Sequence, residues 1–207
     1  DILKLPSVGV DLRKLKQYRH SKKNNKFKIG VIAAYRDNKG YNELIEISKF
    51  LSQKNLNAEI NCYGYDNPIK YQKIIDEKKL KNIFLNPFKQ NIYNEFKKFD
   101  LLCHLSKREG LPVSILESLC LSVPVICYDI RGNKDLIKNH FNGFLIKPYD
   151  LSIFQNKILN ILLKKNLIKF IKKNTRKSVS LIHERENINK ELNKFIIHTC
   201  KIKYKKN

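Results

Sequence analysis

Short apolar runs recur along the first 150 residues, and segments with helically spaced apolar positions separate them. The runs are FKIGVIA (27–33), AEINCYG (58–64), NIFLNP (82–87), LLCHLS (101–106), PVICYD (124–129) and GFLIK (143–147). Short, apolar and flanked by polar loops, they predict strands buried on both faces. Between them, 41–55, 68–79, 91–99 and 113–122 predict helices, the last entered through Pro112 in its first turn. From 151 to 200 the pattern is helical, with little strand character. This alternation predicts an α/β fold: a doubly wound parallel sheet with a helical C-terminal tail. There is no internal repeat and no low-complexity linker, so residues 1–150 read as one domain and 151–207 as a basic helical tail packing on it. Ligands of such sheets bind beyond the carboxyl ends of the strands. The informative loops therefore follow Ala33, Gly64, Pro87, Ser106 and Asp129.

Composition adds limits. With 207 residues and 42% hydrophobic side chains the chain can bury a sizeable core, which excludes a disordered or fibrous protein. No stretch approaches the roughly 18 to 20 apolar residues that span a bilayer. The chain contains no Met, so Asp1 is not an initiator and a longer protein is expected. The five cysteines (Cys62, Cys103, Cys120, Cys127 and Cys200) form no C-x-x-C pair and sit mostly in apolar runs, which predicts buried reduced thiols, no metal site and a cytoplasmic setting.

The net charge of +23 invites a nucleic-acid partner. The basic residues are 35 Lys against 7 scattered Arg, beside 23 Asn, 26 Ile and only 3 Ala, a bias that AT-rich codons produce. Residues 1–150 carry 27 basic and 16 acidic residues, a net of +11, whereas 151–207 carry 15 and 3, a net of +12. The tail is the concentrated part. It suits peripheral contact with an anionic membrane, and no nucleic acid is expected.

The sharpest chemistry lies in S-K-R-E-G-L-P-V-S-I-L-E, residues 106–117. A strand ends, a loop carries Glu109 and Gly110, and a helix begins near Leu111, Pro112 and Val113. A helix N-terminus offers unpaired N–H donors and a positive partial charge, a seat for phosphate. Glu109 and Glu117 flank that seat and can accept from sugar hydroxyls. Gly110 suits a tight turn or close ligand approach. Ser106 either meets phosphate or caps the turn, Tyr65 can stack near a base, and His104 reads as a satisfied core histidine.

E-G-L-P-V-S-I-L-E resembles the Glu–seven residues–Glu motif of glycosyltransferase family 4, found in the C-terminal, nucleotide-sugar-binding domain of a GT-B fold. L-S-V-P-V-I-C (121–127), R-G-N-K-D-L-I (131–137), N-G-F-L-I (142–146), V-G-V-D-L-R-K-L (8–15) and D-N-K-G-Y-N-E-L-I (37–45) resemble further family segments, in order, notably those of bacterial capsule and exopolysaccharide members. The resemblance implies a Rossmann-like half of a GT-B enzyme, retaining and metal-independent, without cofactor. It assigns Glu109 to the donor hexose as the catalytic contact, Glu117 to the ribose and Lys39 to the diphosphate. Where the family carries an Arg before that lysine this chain has Ala33-Ala34, and Arg36 is the nearby candidate.

The implied reaction moves a hexosyl group from a nucleoside diphosphate sugar, UDP preferred, to a surface polysaccharide or lipid-linked glycan. The acceptor domain is expected to lie outside this chain, which alone binds donor without turnover. Two alternatives stay open: a nucleotide-sugar epimerase of the same fold, and a non-enzymatic anion-binding module using the basic tail.

Overall fold

Successive strand residues face opposite sides of a sheet, and here each side meets its own apolar layer. A computed structural model describes residues 10–15, 17–18, 25–178 and 185–204. Its six strands are β1 (Phe27–Ile32), β2 (Ala58–Gly64), β3 (Ile83–Pro87), β4 (Leu101–His104), β5 (Val125–Tyr128) and β6 (Gly143–Ile146). All pair in parallel, in the order β3-β2-β1-β4-β5-β6. The helices are α1 (Leu12–Leu15), α2 (Tyr41–Gln53), α3 (Ile69–Glu77), α4 (Tyr93–Phe96), α5 (Val113–Cys120), α6 (Asn133–Leu136), α7 (Leu151–Leu163), α8 (Lys165–Ser178) and α9 (Arg185–Tyr204).

Ile126 and Tyr128 of β5 join one buried cluster with α2, α3, α7 and α8, whereas Val125 and Cys127 join a second with α1, α4, α5 and α6. Helices cover both faces, as the unbroken apolar runs predict. Phe154, Ile158 and Ile161 of α7 and Ile171 of α8 lie in the same cluster as the strands. The four cysteines Cys62, Cys103, Cys120 and Cys127 are buried and free. Cys200 lies outside the described side chains, and residues 1–9, 16, 19–24, 179–184 and 205–207 lie outside the described residues, including the start of the V-G-V-D segment.

Three local readings are corrected. β4 stops at His104, because Lys107 N–H turns to donate to the Asn38 carbonyl at 2.9 Å rather than continue the ladder. Ser106 is therefore a loop residue. Pro112 is the residue before α5, with its carbonyl accepting from Ile115 N–H at 3.1 Å, so the first turn starts one position later than expected. Residues 133–136 form the short α6, which has too few apolar positions for periodicity to reveal; Asp135 caps it by accepting from Gly132 N–H at 3.3 Å.

On the α4 side, Glu95 is buried yet accepts from Lys89 at 2.6 Å, Tyr63 at 2.8 Å and Lys98 at 2.9 Å. Burial pushes this carboxyl up, but the three donors outweigh it and hold it at about 2, below the ordinary 4.5. A carboxyl depressed by folding stabilises the fold fully above about pH 4.5, and that stabilisation is lost as pH falls through about 2. The urea midpoint should therefore drop across this window, and Glu95→Gln should flatten the drop while lowering stability at pH 7. An unchanged slope in Glu95→Gln would contradict this account.

Candidate functional site

The strand order reverses between β1 and β4, and the loops leaving their carboxyl ends meet there. The β1–α2 loop is built on tyrosines. Tyr35 donates to the Cys62 and Asn86 carbonyls, Tyr41 to Ala33, and Tyr71 to Asp37 at 2.7 Å. Their rings follow one another with centroids 5.0 and 4.9 Å apart. Residues Asp37–Lys39 form one turn of 3-10 helix that ends at Gly40, whose φ is +78°. A Cβ at Gly40 would stand 2.4 Å from Leu105 Cβ, so glycine serves both the left-handed turn and the close approach to the β4 loop. This packing delivers Lys39 to Glu109.

Lys39 Nζ donates to Glu109 Oε1 at 2.6 Å, and the two side chains are only 21% and 16% exposed. His104 Nε2 lies 3.3 Å from the same oxygen. Ser106 is buried beside them in the loop. Neither His104 Nε2 nor Ser106 Oγ makes an aligned hydrogen bond, so both act on Glu109 as nearby donors rather than as formed bonds. Burial raises the Glu109 carboxyl, but His104, Lys39 and Ser106 together hold it at about 2. It is thus a carboxylate at neutral pH, fit to accept hydrogen bonds and unfit to donate a proton.

The backbone after Glu109 runs into α5 without a capping side chain. This uncapped first turn lies at Leu111, Pro112 and Val113, where the sequence suggested a phosphate seat. Pro112 is buried, Leu111 half-buried and Val113 exposed. Gly110 is exposed, and a Cβ there would meet nothing within 4 Å. Its φ is not among the left-handed ones. No left-handed turn requires glycine here. Gly132 does have φ +87°, and a Cβ there would strike the Gly110 carbonyl at 2.3 Å, so the β5–α6 loop braces the Glu109–Gly110 backbone.

The other candidates stand apart from this group. Glu117, on α5, accepts from Tyr93 of α4 at 2.9 Å. Arg36 is drawn to Asp66 at 2.6 Å, an exposed pair joining the loops after β1 and β2. Tyr65 stacks on Phe88 with ring centroids 3.8 Å apart and planes 17° apart, both rings exposed. The register pairs Gly64 with Pro87, so the next residue on each strand must sit side by side. Phe88 escaped sequence reading because only that register reveals it. His104 is buried, as its apolar context suggests, but its Nε2 makes no hydrogen bond and faces Glu109. Among the described residues no group of three or more His, Cys, Asp or Glu comes together as a metal site.

A family model described as "Glycosyl transferases group 1" matches residues 13–178. The chain is 30% identical over 178 residues to the UDP-Gal:alpha-D-GlcNAc-diphosphoundecaprenol alpha-1,3-galactosyltransferase of Escherichia coli, covering 75% of this chain and 46% of that protein. It is 28% identical to the capsular polysaccharide biosynthesis glycosyltransferase CapM of Staphylococcus aureus, covering 82% and 46%. The chain thus spans about half the length of these curated relatives. Among solved structures, Anabaena Alr3699/HepE in complex with UDP-glucose superposes with a TM-score of 0.80 at 20% identity, covering 92% of this chain and 56% of that one. At that identity the likeness shows the fold alone: the six-stranded Rossmann-like half of a GT-B glycosyltransferase.

Proposed function

The chain belongs to the glycosyl transferases group 1 family, and on that premise we propose that it is the donor-binding half of a retaining hexosyltransferase. It takes a nucleoside diphosphate sugar, with UDP as the nucleotide, and transfers the hexose to a lipid-linked glycan or surface polysaccharide. The observation that carries this reading is the half-buried Lys39–Glu109 pair, 2.6 Å apart, beside the uncapped start of α5. The pair sets a cation and a carboxylate next to a row of backbone donors.

In this reading the α5 N-terminus and Lys39 take the diphosphate, whose negative charge grows as the glycosidic bond breaks. Lys39 can serve two partners at once, because an ammonium has three N–H donors. Glu109, held as a carboxylate, accepts from hydroxyls of the hexose and fixes its orientation. Glu117, oriented by Tyr93, takes the ribose hydroxyls. No metal or cofactor is assigned a part. Retention is supported by the E. coli relative: UDP-galactose is an α-linked donor, and that enzyme makes an alpha-1,3 linkage. Its diphosphoundecaprenol acceptor supports a lipid-linked one here and a place on the cytoplasmic membrane face, against which the basic tail would rest. No helix among the described residues is long and apolar enough to cross a membrane.

Calorimetric titration of the chain with UDP-glucose, UDP-galactose, UDP-N-acetylglucosamine and GDP-mannose tests the reading. At least one UDP-sugar should bind, with no transfer to glycan acceptors by this chain alone. Lys39→Ala should weaken UDP and UDP-sugar alike by about tenfold, the loss of one charge-assisted contact. Binding of none of the panel, or indifference to Lys39→Ala, would sink it.

A further inference from the structure

His104 is the last residue of β4 and is 5% exposed. Strand alternation puts it on the same side as Leu102, in the layer shared with α5. An aliphatic residue would suit that place, since an unpaired buried nitrogen costs about 1–3 kcal/mol. Instead an imidazole stands there, its buried Nε2 facing Glu109 Oε1 at 3.3 Å and in no hydrogen bond to another group. Lys39 reaches the same oxygen from the β1–α2 loop, at 2.6 Å. Two donors from two elements thus converge on Oε1, and Oε2 lies outside both contacts.

We infer that His104 is a positioning residue, which holds Glu109 by Oε1 so that Oε2 is presented to the hydroxyls of the donor sugar. The inference rests on the reading of Glu109 as the sugar contact. Its physical logic concerns Lys39. Once a diphosphate binds, the ammonium is shared between that anion and Glu109, and a carboxylate gripped by lysine alone would be pulled along with it. His104 sits at the rigid end of a central strand, so its grip does not move with the loop. The role is specific to the sugar: a nucleoside diphosphate without a sugar makes no use of Glu109.

The test compares a sugar nucleotide with its parent diphosphate. UDP-glucose, UDP-galactose and GDP-mannose, with UDP and GDP, are titrated into wild type, His104→Ala, His104→Gln, Glu109→Gln and the double variant His104→Ala/Glu109→Gln. For the preferred sugar nucleotide His104→Ala should cost about tenfold in affinity, while the parent diphosphate changes by less than about twofold. His104→Gln, whose amide can donate toward Oε1, should recover affinity to within about threefold of wild type. The double variant should lose no more than Glu109→Gln alone, because His104 acts through that carboxylate. If His104→Ala does not fold, His104→Leu, closer in volume, carries the same expectations. Unchanged sugar-nucleotide affinity, equal loss for both ligands, or additive loss in the double variant overturns the inference. Failure of the functional reading looks different: Glu109→Gln does not separate sugar nucleotide from diphosphate, or no ligand binds wild type, and the inference then falls with it.

Discussion

Glu109→Gln lowers the affinity of the chain for its sugar nucleotide by about ten- to a hundredfold and leaves the parent nucleoside diphosphate within about threefold. The size follows from what the substitution removes. Glu109 is 16% exposed, ionised, and held by Lys39 at 2.6 Å. A hydrogen bond from a sugar hydroxyl to such a carboxylate is charge-assisted, and its loss is worth about 1.5–3 kcal/mol. Glutamine keeps the volume but offers a neutral amide, and its N–H₂ end is mismatched to Lys39. In the proposed function the diphosphate is held by other partners, the α5 N-terminus and Lys39, so discrimination rather than general binding should be lost. The measurement is paired calorimetry with both ligands. Equal weakening of the two would mean that Glu109 shapes the pocket without touching the sugar.

Phe154→Ala destabilises the chain by about 3–5 kcal/mol, read as the shift in a urea unfolding curve. Phe154 is 0% exposed and packs edge-on to Tyr128 of β5, with centroids 5.5 Å apart and planes at 74°. It joins α7 to the layer formed by α2 and the strands. Truncation removes the aromatic pair and leaves a void that a sheet on one side cannot close. Against a typical total of about 5–15 kcal/mol this is a severe loss. Donor affinity at low temperature should survive, since α7 contributes none of the residues gathered around Glu109. A shift below about 1 kcal/mol would show that the C-terminal helices are not part of the cooperative core.

The two substitutions probe parts of the molecule that were unequally legible. The six strands fall within the predicted runs, because two-sided burial writes an unbroken apolar run into the sequence. Glu109, Gly110 and Glu117 stood out because their motif is contiguous. The short elements Asp37–Lys39 and Asn133–Leu136 left no period to detect. Arg36 stood out by its place in the loop before Lys39, but its pairing with Asp66, thirty residues away, is set only by the fold.

Local pattern by itself determined the α/β class, the order of strands and helices, the family resemblance and the two carboxylates. These depend on neighbours in the chain, where periodicity and spacing act. Only the tertiary structure decided that Lys39 and His104 meet on one oxygen of Glu109, that Phe88 stacks on Tyr65, and that Gly132 braces the Glu109 backbone. Each is a contact across strands or between loops, Lys39 and Glu109 being 70 residues apart. Such contacts exist only once β1 lies beside β4 and β2 beside β3, and strand order and register are set by burial of the whole sheet rather than by any one segment.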